Sequence, residues 1–270
     1  MSLRALPLVA VLMFHAIGQP GPYTISPATF ADSLAMLRTE RVEVLSLGQF
    51  EQYALGRLRL RKPGVLLTFD DGSRSLYTLA TPILLHFHDP AVAFLIGRRI
   101  GRDPQSLTPA EVRGMAATGL WAFGSHTYNL HSGYGEMQNL HYFAAHGRSA
   151  EGVLAKDIAL EDRTFRRLGL PRPEAFAFPF GFYTLADLHQ LQRRFPFLFT
   201  SHAGFAQPRQ SVIPRINIGS DFAGVPRLAD VLAAMQPDRI TAQRRGPKSS
   251  GPAVPVDRPD RSVPLGAAML

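Results

Sequence analysis

Short apolar runs recur along the chain, and most are followed by a segment whose apolar positions repeat with a helical period. The runs at 8–14, 42–46, 64–69, 91–96, 120–124, 175–178, 197–201 and 211–216 are too short for helices and are read as strands. Helical periodicity places helices near 27–39, 75–87, 109–118, 150–168, 184–194 and 226–235. Two helix starts carry chemical signals. Ser26 precedes Pro27, a residue suited to a first helical position, and Thr108-Pro109-Ala110-Glu111 has the spacing of a capping box. Strands alternating with helices predict an α/β chain of parallel β/α units, and seven or eight such units closing on themselves make a (β/α) barrel. An open doubly wound sheet would carry a glycine-rich phosphate loop after its first strand, but here that strand runs into Phe14-His15-Ala16-Ile17-Gly18.

Composition sets the boundaries. A chain of 270 residues that is 46% hydrophobic buries one sizeable core. Residues 1–235 are expected to form the barrel domain, and the Pro/Arg/Ser-rich residues 236–270 a disordered tail. The polar and aromatic stretch 132–147 reads as a long excursion over one barrel mouth. The apolar residues 6–14 end in His15 without a small-residue cleavage site, so a buried strand fits them better than a signal peptide, and no stretch is long enough to span a membrane. An envelope substrate would therefore imply export by a route the sequence leaves open. The formal charge of +8 falls to +5 over residues 1–235, scattered along the chain without aromatic interleaving. Nucleic-acid binding is not expected, whereas electrostatic contact with an anionic envelope surface is a use for the excess.

Candidate chemistry begins at Thr68-Phe69-Asp70-Asp71-Gly72, where an apolar strand delivers two carboxylates to the C-terminal end of the barrel. By itself Asp-Asp-Gly reads as a turn. A second strand end changes that reading, because His126 lies just past Leu120-Trp121-Ala122-Phe123-Gly124 and His131 follows five residues later. Five helical positions differ by about 140°, so the two rings can meet only if a loop folds back. The chain has no cysteine, so a metal must be held by histidine and carboxylate. Two imidazoles and one carboxylate suit a divalent ion, most naturally zinc, with cobalt, nickel or iron as alternatives, and the other carboxylate remains available as a base.

These residues resemble the polysaccharide deacetylases that share the NodB homology domain, also called carbohydrate esterase family 4. Thr68-Phe69-Asp70-Asp71-Gly72 is similar to their first motif, and His126-Thr127-Tyr128-Asn129-Leu130-His131 to the second. The resemblance covers about residues 8–217 and implies a distorted NodB-type barrel. It also implies that Asp70 is the catalytic base and that Asp71, His126 and His131 are the metal ligands. The five-residue histidine spacing and the leading Phe14-His15 pair are similar to the branch that deacetylates poly-β-1,6-N-acetylglucosamine. That branch implies His15 as general acid, while His202, after another strand, can reach the same mouth. Ala177-Phe178-Pro179-Phe180-Gly181 resembles the third motif, with Phe180 in place of its tyrosine, and implies the Phe180 backbone N–H as an oxyanion donor. The family's arginine is absent there. Arg215, in Ile213-Pro214-Arg215, either replaces it beside Asp70 or forms a barrel-end salt bridge, and both readings stand.

The implied reaction is hydrolysis of an N-acetylhexosamine acetamide in a polysaccharide or oligosaccharide. Trp121, Tyr128, Phe182 and Tyr183 neighbour the motifs and can pack on sugar faces or in the core. An O-acetyl esterase of the xylan type and a non-catalytic carbohydrate-binding protein are the alternatives. An aspartyl phosphotransferase needs a carboxylate two positions after its nucleophile, where this chain has Gly72.

Overall fold

The computed structural model describes residues 8–18, 21–131, 151–220 and 227–235. The expected excursion at 132–147 and the expected tail at 236–270 lie outside these residues. Strand β1, Val9–Phe14, is buried throughout, as a central parallel strand with both faces covered must be. A two-stranded ribbon of β2, Ala16–Ile17, and β3, Thr24–Ile25, follows. Helix α1, Pro27–Thr39, starts as expected, with the Ser26 hydroxyl accepting from the Thr29 N–H. Next come β4, Glu43–Val44, and helix α2, Leu47–Ala54, which the periodicity did not predict. Its signal was present in the sequence: Ser46 and Gln49 form a capping box.

Strand β5, Gly64–Phe69, leads to a widened turn over Leu76–Ala80 and helix α3, Thr81–Phe87. Pro82 lacks an N–H and crowds the carbonyl four residues back, so the ladder opens and the Thr81 N–H reaches the Leu76 carbonyl instead. One continuous helix was expected across 75–87; proline divides it. The chain continues through β6, Ala91–Leu95, α4, Pro109–Ala117, with its capping box, and β7, Trp121–Ser125. It ends with α5, Glu151–Leu168, β8, Ala175–Ala177, α6, Leu185–Gln192, β9, Phe197–Phe199, β10, Phe205–Ala206, β11, Ile216–Asn217, and α7, Leu228–Met235.

The parallel order β1-β5-β6-β7-β8-β9 curls round until Phe199 bridges Ile213, and the strand that follows, β11, pairs with β1 at Leu12 and Met13. The result is a distorted (β/α) barrel. Its distortion has a local cause. Pro214 interrupts the expected 211–216 strand, so β11 spans only the upper half of β1, and β10 fills the lower half antiparallel, against Val9 and Ala10. Strand alternation sorts the core into two layers. Val9, Val11, Leu66, Val92, Phe94 and Phe199 fill the barrel interior, while Ala10, Leu12, Phe14, Val65, Leu67 and Phe69 pack under the helices.

Candidate active site

Asp70 continues the pairing of β5, its N–H donating to the Phe14 carbonyl at 2.9 Å. The backbone then turns left-handed for two residues, Asp71 at φ 70° and Gly72 at φ 71°. Asp tolerates that conformation better than most residues, and a Cβ at position 72 would meet the Leu95 side chain at 3.1 Å. The turn separates the two carboxylates. Asp70 is 2% exposed, whereas Asp71 projects into the open mouth.

His126 leaves the end of β7 with its Nδ1 2.8 Å from the Ala177 carbonyl. A carbonyl can only accept, so Nδ1 carries the hydrogen and Nε2 keeps its lone pair. Thr127 holds φ 70°, a costly conformation for a β-branched residue, and the loop folds back so that His126 and His131 lie with ring centroids 4.8 Å apart. Asp71 Oδ1 sits 3.7 Å from His126 Nε2 and 3.3 Å from His131 Nε2, with no hydrogen-bond partner of its own among the described residues. Burial lowers the pKa of His126 against the pull of Asp70 and Asp71, and burial followed by the charge of His126 lowers His131 to about 4. Both rings are therefore neutral at pH 7, the state a metal ligand requires.

Arg215 settles above these groups. It is 1% exposed, and its Nη1 and Nη2 each donate to one Asp70 oxygen at 2.7 Å, while Nε donates to the Thr200 carbonyl at 3.0 Å. The guanidinium also lies 5.4 Å from the centroid of Phe94. Burial pushes the Asp70 carboxyl up, but the charges of Arg215 and His126, the Arg215 hydrogen bonds and His15 outweigh it and hold it well below the usual carboxylate range. A cavity of about 600 Å³ opens over this set, lined also by His15, Tyr23 and Phe180. Phe180 holds φ 56° and its ring lies tilted against His131 with centroids 4.7 Å apart, its carbonyl accepting from Ser201 Oγ.

A family model described as polysaccharide deacetylase matches residues 58–197. The chain belongs to that family. A poly-β-1,6-N-acetyl-D-glucosamine N-deacetylase of Staphylococcus epidermidis is 26% identical over 206 residues, covering 74% of this chain and 69% of that protein. Its Staphylococcus aureus counterpart is 24% identical over 206 residues, with the same shares covered. Among solved structures, IcaB from Ammonifex degensii superposes with a TM-score of 0.75 at 29% identity, covering 85% of this chain and 97% of that one. A de-N-acetylase from Aggregatibacter actinomycetemcomitans shares the fold at a TM-score of 0.67 and 19% identity, covering 83% of this chain and 99% of that one.

Of the family motif residues expected at the site, Asp70, Asp71, His126, His131 and Phe180 all line the cavity, and so do His15 and Arg215. His202 does not. It is exposed and turned to the Thr200 hydroxyl at 3.2 Å, and only its carbonyl serves the site, accepting from the Arg215 N–H. Three of the four motif-adjacent aromatics also lie elsewhere. Trp121 sits at the opposite end of β7, its indole N–H on Thr81, Tyr128 pairs with Arg102, and Tyr183 stacks on Phe178. Tyr23, 58% exposed at the cavity rim and 5.3 Å from the His15 ring, is the aromatic that periodicity passed over.

Asp157 was missed as well. From the first half of α5, its two oxygens accept from the N–H groups of Tyr128 at 2.7 Å and Asn129 at 2.8 Å, clamping the loop between the two histidines. Burial pushes its carboxyl up to about 6 against those two donors. Nothing local marks such a residue, since an Asp among the charges of an amphipathic helix looks solvated. Asp157→Ala leaves two N–H groups unpaired and the loop free. Zinc affinity, read by competition with a chromophoric chelator, is expected to fall roughly 10- to 100-fold, and unchanged affinity would remove Asp157 from the site.

Proposed function

We propose that the chain hydrolyses N-acetyl groups from an N-acetylhexosamine polymer, with poly-β-1,6-N-acetylglucosamine as the preferred class, and that a divalent ion at Asp71, His126 and His131 is required. The observation that carries this reading is the convergence of three ligand atoms within 4.8 Å of one another beside the Arg215-held Asp70. The donor set fits the ion: a buried carboxylate oxygen without a partner, and two neutral imidazoles, one with its lone pair directed by the Ala177 carbonyl. When bound, the ion supplies Lewis acidity to an acetyl carbonyl and to water. Zinc suits the set, with cobalt, nickel or iron as alternatives.

Asp70, ionised and held in a fixed direction by two guanidinium bonds, accepts the proton of the attacking water. His15, which follows the end of β1 next to β5 and lines the same cavity, protonates the departing amine. The Phe180 backbone N–H donates to the oxyanion as it forms. Tyr23 offers an exposed ring to a sugar face at the rim. The preference for the β-1,6 polymer draws support from the names of the Staphylococcus relatives and from the five-residue histidine spacing.

The test is acetate release from β-1,6- and β-1,4-linked N-acetylglucosamine oligomers, a peptidoglycan fragment and acetylated xylan, before and after chelation. Release is expected from the β-1,6 oligomers, to be abolished by chelator and restored by zinc or cobalt. Release from xylan alone would assign an O-acetyl esterase. Silence on every substrate with metal bound would assign a non-catalytic binding protein.

A further inference from the structure

At the barrel end opposite the cavity, the loop entering β5 reads Arg57-Leu58-Arg59-Leu60-Arg61-Lys62, an apolar-cationic alternation in which the leucines are half-buried and the cations exposed. Leu58 and Leu60 turn inward and pack on the barrel-interior core, so the period of two sends the intervening cations outward. They meet Arg41, which holds a left-handed backbone at φ 56° just before β4, and Arg38 from the last turn of α1. A cleft of about 700 Å³ opens between them, lined by Arg38, Arg41, Arg59, Arg61 and Lys62, with Glu43 as its only acid.

The cations are not absorbed by neighbours. Arg38 pairs with Asp89 and donates to the Phe87 carbonyl, but the side chains of Arg41, Arg59, Arg61 and Lys62 are exposed and form no ion pair or hydrogen bond with the described residues. Four like charges facing one cleft repel one another, and a multivalent anion relieves that repulsion. Position separates this cleft from the active site: Glu43 pairs with Gly64 at the start of β5, and six residues of strand place it about 20 Å from Asp70.

We propose that this cleft binds a linear, phosphate-rich polyanion, gripped by Arg41, Arg59, Arg61 and Lys62. The concave shape suits a single extended chain better than a flat lipid surface. The lining holds no aromatic side chain, so it offers none of the stacking platforms that single-stranded nucleic acids use. The cationic run before β5 is joined here by Arg41 and Arg38 from the preceding helix end and loop. The inference is independent of the deacetylase reading, since binding is measured without turnover.

The full chain is titrated into fluorescently end-labelled inorganic polyphosphate and followed by anisotropy across a salt series. Binding is expected to persist at about 0.15 M salt and to weaken as salt rises. The double variant Arg59→Glu/Arg61→Glu is expected to bind at least about tenfold more weakly and with a shallower salt dependence, with an unchanged unfolding midpoint. Arg163→Glu/Arg166→Glu on α5 changes net charge equally and is expected to keep wild-type binding. Four outcomes overturn the proposal: no binding at that salt, an equal loss in the two double variants, tighter binding of single-stranded DNA at matched phosphate concentration, or capture by phosphatidylglycerol vesicles without capture of polyphosphate.

Discussion

Asp70→Asn is expected to lower kcat by about 10²- to 10⁴-fold, the range a positioned general base contributes, while zinc still binds stoichiometrically. The amide keeps the shape of the carboxylate and leaves the ligand atoms of Asp71, His126 and His131 in place. What it loses is the negative charge and one acceptor. One guanidinium N–H of Arg215 can still donate to the amide oxygen, but the other now faces an NH₂ group, where the native side chain accepted both at 2.7 Å. Some stability is lost as well, so metal content and circular dichroism are measured on the same preparation as turnover. A variant that binds zinc and retains most of its acetate release would take Asp70 out of the chemistry and leave the acidic pair as a ligand and its neighbour.

Arg215→Met is expected to cost about 3–5 kcal/mol of stability, because it strands a buried carboxylate without its counter-charge. For a folded unit of this size, that corresponds to a fall in unfolding midpoint of roughly 10 °C. The pH dependence gives the sign. Asp70 is held below its ordinary pKa in the folded wild type, so its contribution is present above the ordinary carboxylate range and is lost as pH falls through the depressed value. The stability gap between wild type and variant should therefore be widest at neutral pH and narrow in acid. With the guanidinium gone, burial is opposed only by His126 and His15, so the Asp70 pKa rises and the acid limb of kcat/KM should move upward. Arg215→Lys keeps one charge but not the fork that engages both oxygens, and an intermediate result is expected. Equal midpoints and superimposable pH profiles would reduce Arg215 to packing.

How much of this was legible depends on the range of the interaction. Strand β5 and the capped starts of α1 and α4 lie where periodicity and local hydrogen-bond chemistry placed them. Helix α2 was legible and overlooked, since Ser46 and Gln49 carry their signal within four residues. Strand β10 was not: two residues that pair antiparallel with β1 acquire their identity only from the partner. The division of the carboxylates is similar, because adjacency puts Asp70 and Asp71 at one strand end while the two left-handed residues of the turn send one inward and one outward.

Local sequence set the types of the longer strands and helices, their β/α alternation, and the side chains presented at the strand ends, because each depends on neighbours a few residues apart. It carried the two histidines and the acidic pair for the same reason. Tertiary structure put His15 rather than His202 in the cavity lining, brought Arg215 onto Asp70 across 145 residues, set Asp157 against the histidine loop, and brought Arg38 and Arg41 beside the Arg59-to-Lys62 run. Those are outcomes of closing the ring, in which Pro214 shortens the last strand and the chain returns to β1. A buried charge finds its partner by where the barrel closes, and no local window of the chain contains that information.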